Sequence, residues 1–86
     1  MTRDEILAAV KDGWSLYGAD LSRADLSRAD LSEANLSEAN LSKANLSGAN
    51  LSRADLSRAN LSRANYTQGT LWPAGFDPAN ARAVKL

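Results

Sequence analysis

Residues 19–63 repeat one five-residue phrase, Ala-Asp/Asn-Leu-Ser-X, nine times without interruption. A tenth copy, residues 64–68, keeps only the Ala and the Asn. A sequence repeat of fixed period is typical of repeat architectures, in which each unit buries its apolar face against its neighbours. The repeat therefore limits the folds that are open to most of this 86-residue chain.

A period of five fits neither a straight α-helix nor a straight β-strand. On a helix, residues five apart differ by about 140° in direction, so the leucines would wind around every face. On a strand, side chains alternate between two faces, so successive leucines would point to opposite sides. The pattern works only if the chain turns a corner once per repeat. Ala and Leu then point inward, and Asp/Asn, Ser and X point outward.

Phrases such as Ala-Asp-Leu-Ser-Arg and Ala-Asn-Leu-Ser-Glu resemble the pentapeptide-repeat family, and the resemblance spans residues 14–73. It implies an all-β solenoid, a right-handed quadrilateral β-helix with four repeats per coil and about three coils in this chain. The central Leu of each repeat would form the core. The predicted core residues are Leu21, Leu26, Leu31, Leu36, Leu41, Leu46, Leu51, Leu56 and Leu61.

Residues 1–13 predict a short amphipathic helix that caps the first coil. Thr2 and Glu5 have the spacing of a capping box, and Gly13 is a natural helix end. A membrane-surface or partner-binding helix is a weaker alternative, because the segment is short and lacks a basic face. Trp14 falls at the Ala position of the repeat, so we expect it to spread under this helix as an end-capping residue.

The pattern breaks after the repeats, although Leu71 still falls at the Leu position. We expect Trp72 and Phe76 to plug the last coil, since Pro73 ends the ladder of hydrogen bonds. Asp77-Pro78 predicts a helix N-cap that begins a short final turn. Residues 74–86 are therefore predicted to form a C-terminal cap, which completes short helical caps at one or both ends.

Residues 20 apart should lie one coil above another, about 4.8 Å away. Two outward ion pairs follow from this spacing, Glu33 with Arg53 and Glu38 with Arg58. The outward Asp and Asn side chains are expected to form hydrogen-bonded ladders between coils. One outward column is entirely basic and is read as a solvated face: Arg23, Lys43 and Arg63.

Charge is also divided along the solenoid axis. Residues 20–42 carry a net charge of −3, and residues 43–65 carry +3. This asymmetry could favour head-to-tail association at low salt. We therefore expect either a monomer or a weak homo-oligomer that forms through the solenoid ends.

Composition excludes several classes of function. The chain has no Cys and no His, which removes thiol chemistry, the commonest metal ligand and the commonest general base. We expect no catalytic residue, no cofactor and no metal. The net charge of zero argues against nucleic acid as a partner. No apolar run is long enough to span a membrane and no secretory signal precedes the repeats, so the expected location is the cytoplasm.

Two functions stay open. The favoured one is a structural or protein-interaction scaffold with an unassigned protein partner. The alternative comes from the family resemblance, because some members resemble B-DNA in size and negative charge and act on DNA gyrase. This chain departs from that pattern in being neutral. The uniform repeats indicate either recent duplication or a regularised consensus, and the sequence does not separate the two.

Overall fold

A computed structural model of the chain describes every residue from Met1 to Leu86. It contains one α-helix, α1 at Arg3–Lys11, and two short parallel strands, β1 at Asn65–Tyr66 and β2 at Val84–Lys85. The repeats form no long strands, because the chain turns at every fifth residue. Instead, single β-bridges connect neighbouring turns of the chain. The chain is therefore built from corners and from very short straight segments.

The bridges join residues that are 20 positions apart, as the predicted columns require. The Leu21 N–H donates to the Asn40 carbonyl at 2.8 Å, and the Asn40 N–H donates to the Ala19 carbonyl at 2.9 Å. The same pattern recurs along the array. Parallel bridges of this offset are Asp20–Asn40, Asp25–Asn45, Asp30–Asn50, Asn35–Asp55, Asn40–Asn60 and Asn45–Asn65.

Each corner is a turn over Leu-Ser-X-Ala. In the first complete one, the Ala24 N–H donates to the Leu21 carbonyl at 3.2 Å. The residue at X has a positive φ, such as 61° at Arg23, whereas Ser does not. A positive φ at the third position alone is the signature of a type II turn. Glycine adopts this conformation most easily, yet Gly48 is the only glycine at X within the nine regular repeats.

The core is a column of leucines with small alanines beside it. All nine predicted core leucines are buried, and the most exposed of them, Leu56, has a relative exposure of 7%. The alanines nearest the centre, such as Ala39 and Ala44, are fully buried. Burying one leucine side chain stabilises the folded state by about 1.5–3 kcal/mol, so this column supplies most of the apolar stabilisation.

Helix α1 lies across the first coil. Thr2 and Glu5 form the predicted capping box, which is confirmed by both of its hydrogen bonds. Ile6 is fully buried within the same cluster as the leucines. Arg3 reaches the coil edge and donates from its guanidinium to the carbonyl oxygens of Asp25, at 2.8 Å, and Ser27, at 2.9 Å. Helix α1 therefore covers the open core and part of the open backbone edge.

The placement of Trp14 under the helix is wrong, because 71% of its surface is exposed. Its N–H donates to the Ala9 carbonyl at 2.9 Å, so its backbone belongs to the end of α1 and not to the wall of the solenoid. The stacking hydrogen bonds begin only at Leu16. Ile6, and not Trp14, is the fully buried residue that α1 contributes to the core.

The inward placement of Leu71 is also wrong. Leu71 bridges Asn50, an offset of 21, and 54% of its surface is exposed. The turn at residues 67–70 is closed like a regular corner, by the Thr70 N–H donating to the Thr67 carbonyl at 3.0 Å. One extra residue precedes this turn, which moves Thr70 to the inward position. Thr70 is buried and donates its hydroxyl to the Leu46 carbonyl at 2.8 Å. A shift of one residue exchanges the two faces of an extended segment, so Leu71 points outward.

The end of the chain forms turns and a strand, not a helix. Asp77 accepts hydrogen bonds from the N–H groups of Ala79 and Asn80, as the predicted N-cap requires. The following turns end near Arg82, however, and β2 then pairs in parallel with β1. A single turn leaves too little length for a stable helix, and the free edge at β1 provides backbone partners for Val84 instead.

Candidate interaction surface

The corner residues, meaning the residues at X in each repeat, form the variable part of the outer surface. Ala, Leu and Ser are the same in all nine regular repeats, whereas X is Arg, Glu, Lys or Gly. Every corner residue in these repeats is exposed. Since a positive φ fixes the backbone at each corner, the side chains project from regularly spaced points on a rigid frame.

The Asp and Asn side chains between the corners are held by their own repeats. In the first repeat, Asp20 Oδ1 accepts from the Ser22 N–H at 3.0 Å and from the Ser22 hydroxyl at 2.6 Å. This Asp/Asn–Ser arrangement recurs, and it explains why Ser follows every Leu. The predicted ladders between coils are wrong, because the carboxylate and amide oxygens bond within the repeat. The one Asp/Asn side chain that reaches another coil is Asn35, which donates to the Ser15 hydroxyl at 3.0 Å.

These local hydrogen bonds lower the pKa of four exposed carboxyls. The Ser22 hydroxyl, followed by its backbone N–H, lowers the pKa of Asp20 below its usual value. The cause is that both donors stabilise the charged carboxylate. The same shift, with the same two causes, applies to the pKa of Asp25, Asp30 and Asp55. The carboxylates therefore serve mainly to fix the corners.

One of the two predicted ion pairs is present. Arg58 Nη1 lies 3.7 Å from Glu38 Oε2, whereas Glu33 makes no salt bridge with Arg53. Glu38 also accepts a hydrogen bond of 3.0 Å from the Tyr17 hydroxyl, and this contact raises the pKa of Tyr17. An exposed pair of this kind contributes about 0.2–1 kcal/mol.

The basic column is present and is longer than the sequence indicated. The Arg63 N–H donates to the Arg82 carbonyl at 2.9 Å, which places Arg82 beyond Arg63 in the same column. Neither residue takes part in a salt bridge, and the same is true of Arg23 and Lys43. Arg82 was not foreseen because the repeat pattern has ended by that point in the sequence.

The predicted end aromatics Trp72 and Phe76 pack together beside the core. Their rings are stacked with centroids 5.1 Å apart, and Tyr66 meets Trp72 edge-to-face at 5.5 Å. Trp72 follows Thr70 and Leu71 and so takes the place that a Leu would occupy in a regular repeat. Ile6 at one end and Thr70 at the other are also buried. The sequence pattern did not place either residue in the core.

Two clefts lie beside α1, the first lined by Leu7, Val10, Lys11, Asp30 and Ser32. The second continues past Trp14 and Glu33. No group of three or more His, Cys, Asp or Glu side chains is placed to hold a metal ion, and no buried side-chain polar atom lacks a hydrogen bond. No helix is both long and apolar enough to cross a bilayer.

Comparison with known proteins identifies the repeats. A family model described as pentapeptide repeats, in 8 copies, matches residues 15–53 and 34–68. No curated protein matches the chain.

The solved structures that are similar to this chain include two pentapeptide repeat proteins. One is a pentapeptide repeat protein, Rfr23, from the cyanobacterium Cyanothece 51142, with 39% identity and a TM-score of 0.67. The match covers 69% of this chain and 40% of that protein, so this chain matches less than half the length of Rfr23. The other is a pentapeptide repeat protein, alr5209, from Nostoc Pcc 7120, with 26% identity, a TM-score of 0.56, and coverage of 99% of this chain and 96% of that one. Together the matches imply a right-handed β-helix.

Proposed function

The chain belongs to the pentapeptide-repeat family, and from that premise we propose that it is a non-enzymatic scaffold that binds a protein partner through its corner residues. The proposal rests on the observation that the positions of each repeat have separate structural roles. Leu and Ala form the core, Asp/Asn and Ser hold the turn, and X varies most widely and is exposed in every regular repeat.

Charged corner residues offer more to a partner than the segments between them. A carboxylate such as that of Asp30 already accepts two hydrogen bonds from Ser32. A partner that contacts this segment would therefore find much of its hydrogen-bonding capacity in use. Apart from Glu38 and Arg58, which pair with each other, the charged side chains at the corners keep their donors and acceptors in water. Specific recognition by charge complementarity is expected at such groups.

The remaining parts of the chain have supporting roles in this proposal. Helix α1 at one end, together with Trp72 and Phe76 at the other, would act as caps that protect the core of the repeat region. Uncapped solenoid ends expose apolar surface and unpaired backbone groups. The division into residues 1–13, 14–73 and 74–86 and the location in the cytoplasm remain predictions.

The test uses a variant in which the eight charged corner residues are replaced by Asn. Asn tolerates a positive φ, so the turns are retained while the charges are removed. The positions are Arg23, Arg28, Glu33, Glu38, Lys43, Arg53, Arg58 and Arg63. The parent and the Asn variant are first shown to have the same Tm. Both are then immobilised and exposed to extract of the source cell. A partner retained by the parent and lost from the variant supports the proposal. Identical binding by both, or binding by neither, contradicts it.

The DNA-mimic alternative makes the opposite prediction for DNA gyrase. A mimic needs a dense run of negative charge, because duplex DNA carries about one charge per 1.7 Å of axis. Residues 14–73 carry six acidic and six basic side chains. We expect purified gyrase to supercoil DNA at an unchanged rate with the protein in micromolar excess. Strong inhibition that disappears on replacing Glu33 and Glu38 would overturn the scaffold proposal in favour of mimicry.

A further inference from the structure

The large apolar side chains that remain exposed lie at the two ends of the molecule. One group belongs to the α1 end, meaning α1 and the first coil, and the other belongs to the β2 end, meaning the last coil and the chain after it. The first group is Met1, Trp14 and Tyr17, and the second is Leu71, Val84 and Leu86. The regular repeats between the two ends expose no large apolar side chain. Apolar side chains exposed at both ends can be removed from water in a contact between copies, which favours association.

The same two ends carry opposite charge. Residues 1–42 contain eight acidic and four basic side chains, a net charge of −4. Residues 43–86 contain two acidic and six basic side chains, a net charge of +4. The chain as a whole is neutral, so this separation does not show in its net charge. Two copies that meet with unlike ends attract each other, whereas like ends repel.

The β2 end also has unpaired backbone donors. Within the array, the N–H groups of Leu36 and Leu41 donate to carbonyls of the next coil, at 2.9 and 2.7 Å. The N–H groups of Leu56 and Leu61, one coil further on, have no protein acceptor. The chain after Tyr66 covers other parts of this edge but leaves these donors free. An open edge of this kind is a template for association.

The α1 end has acceptors that suit such an edge. Asp4 and Asp12 are exposed carboxylates on and just after α1, and no hydrogen bond or salt bridge engages them. Helix α1 blocks a direct continuation of the backbone ladder, because it lies across the first coil. The contact would therefore join carboxylates to free N–H groups and to the arginines of the last corners, such as Arg53 and Arg58, around an apolar centre.

We propose that the β2 end of one copy binds the α1 end of a second copy, so that the chain associates head-to-tail. After one contact forms, the pair of copies still presents one free end of each kind. Such a heterologous interface produces linear assemblies that grow with concentration unless the geometry closes a ring. The proposal concerns the ends alone and does not depend on the corner residues having a separate protein partner.

The first measurement is sedimentation velocity of the purified full chain over a range of concentrations. At about 0.01 M salt the Debye length is about 30 Å, and at 1 M it is about 3 Å. We expect mass-average size to rise with concentration at low salt, and the association constant to fall at least tenfold at high salt. A parent protein that stays monomeric at millimolar concentration in low salt would overturn the proposal.

The second measurement identifies the ends by charge reversal. One variant, the β2-reversed variant, carries Arg53→Glu, Arg58→Glu and Arg63→Glu. The other, the α1-reversed variant, carries Asp4→Lys, Asp12→Lys and Glu33→Lys. All six positions are exposed, so both variants should keep the circular dichroism of the parent. We expect each variant alone to be monomeric, because its two ends carry like charge, and an equimolar mixture to associate, because one native end of each kind is then present.

The α1-reversed variant also separates this arrangement from a symmetric one. It keeps a native β2 end, so association between two β2 ends would survive in it, and that result would overturn the proposal. Lys43→Glu is the matched control for Arg63→Glu, because both residues are exposed members of one column without a salt bridge and Lys43 lies in the middle of the array. Arg63→Glu should weaken association several-fold and Lys43→Glu should not. Equal effects would show that net charge alone matters, which also contradicts a contact between ends. The salt series on the parent tests the proposal even if a triple variant fails to fold.

Discussion

The regular repeats at residues 19–63 and the segment at residues 66–86 both stack on the preceding coil through parallel backbone hydrogen bonds, but they do so with different sequence offsets. In the first region, residues 20 apart always stack, and every fifth residue is a buried leucine. In the second region the offset is 21 at Leu71 and 19 at Val84. The second region still extends the ladder, because its N–H and C=O groups pair with those of the coil beneath.

The difference shows what holds the register of the solenoid. In each regular repeat, an Asp or Asn oxygen fixes the Ser two residues later and so sets the length of the corner. At the corresponding place after the repeats, Asn65 makes no such hydrogen bond to Thr67. The Thr70 hydroxyl takes over by accepting from the Thr67 N–H at 3.1 Å. The segment before this turn is one residue longer than in a regular repeat, and Leu71 therefore changes face.

The largest effect in this comparison is expected from placing the same charge in each region. Leu41→Lys would bury an unpaired ammonium where the parent side chain has no exposure, whereas Leu71→Lys would place it in water. We expect Leu41→Lys to lose more than about 4 kcal/mol of stability and its cooperative melt. Leu71→Lys should stay within about 0.5 kcal/mol of the parent. Thermal melts followed by circular dichroism decide this, and a parent-like melt for Leu41→Lys would refute the inward assignment.

A second pair of variants sharpens the contrast at the other end. Ile6 is fully buried, whereas 71% of Trp14 is exposed. Ile6→Ala should cost about 2–5 kcal/mol, because it leaves a cavity between α1 and the first coil. Trp14→Ala should change stability by about 0.5 kcal/mol or less. Urea unfolding measures both. If Trp14→Ala proved the more damaging change, the aromatic would be part of the core after all.

A smaller effect is expected from acid, because it acts on the turns that contain Asp and not on those that contain Asn. The hydrogen bonds from Ser hold the pKa of Asp20, Asp25, Asp30 and Asp55 below the ordinary value of an aspartate in the folded chain. A lowered pKa contributes stability that is full above the unfolded value and is lost as pH falls through the folded value.

The chain should therefore lose Tm on going from pH 5 to below pH 3. A variant with Asn at all four positions should lose less, since the natural repeats with Asn35 and Asn50 form the same turn without a charge. Parallel melts across this pH range measure the difference. Equal losses by the two proteins would show that these turns do not couple stability to pH.

The sequence was sufficient for the regular region because one local rule is repeated there. The leucine positions, the corner at each fifth residue and the capping box at Thr2 all follow from patterns within a few residues. Trp14 and Leu71 could not be placed in this way. The position of Trp14 depends on how α1 presents Ile6 to the core, and that of Leu71 depends on the one extra residue that precedes the turn at residues 67–70. Both positions depend on the three-dimensional packing of the chain, which the five-residue pattern does not encode.

The register change after Tyr66 can be measured directly by disulfide formation, because the parent chain has no Cys. Neighbouring coils bring Cα atoms within about 4.4–6.8 Å, the range that a disulfide requires. As a control for the regular offset, Asn40→Cys with Asn60→Cys should oxidise readily. The test compares Asn50→Cys paired with Leu71→Cys against Asn50→Cys paired with Thr70→Cys. We expect the first pair to form a disulfide under mild oxidation and the second to remain reduced, because Thr70 points into the core. A disulfide in the second pair and none in the first would show that the offset of 20 continues and that no residue is inserted.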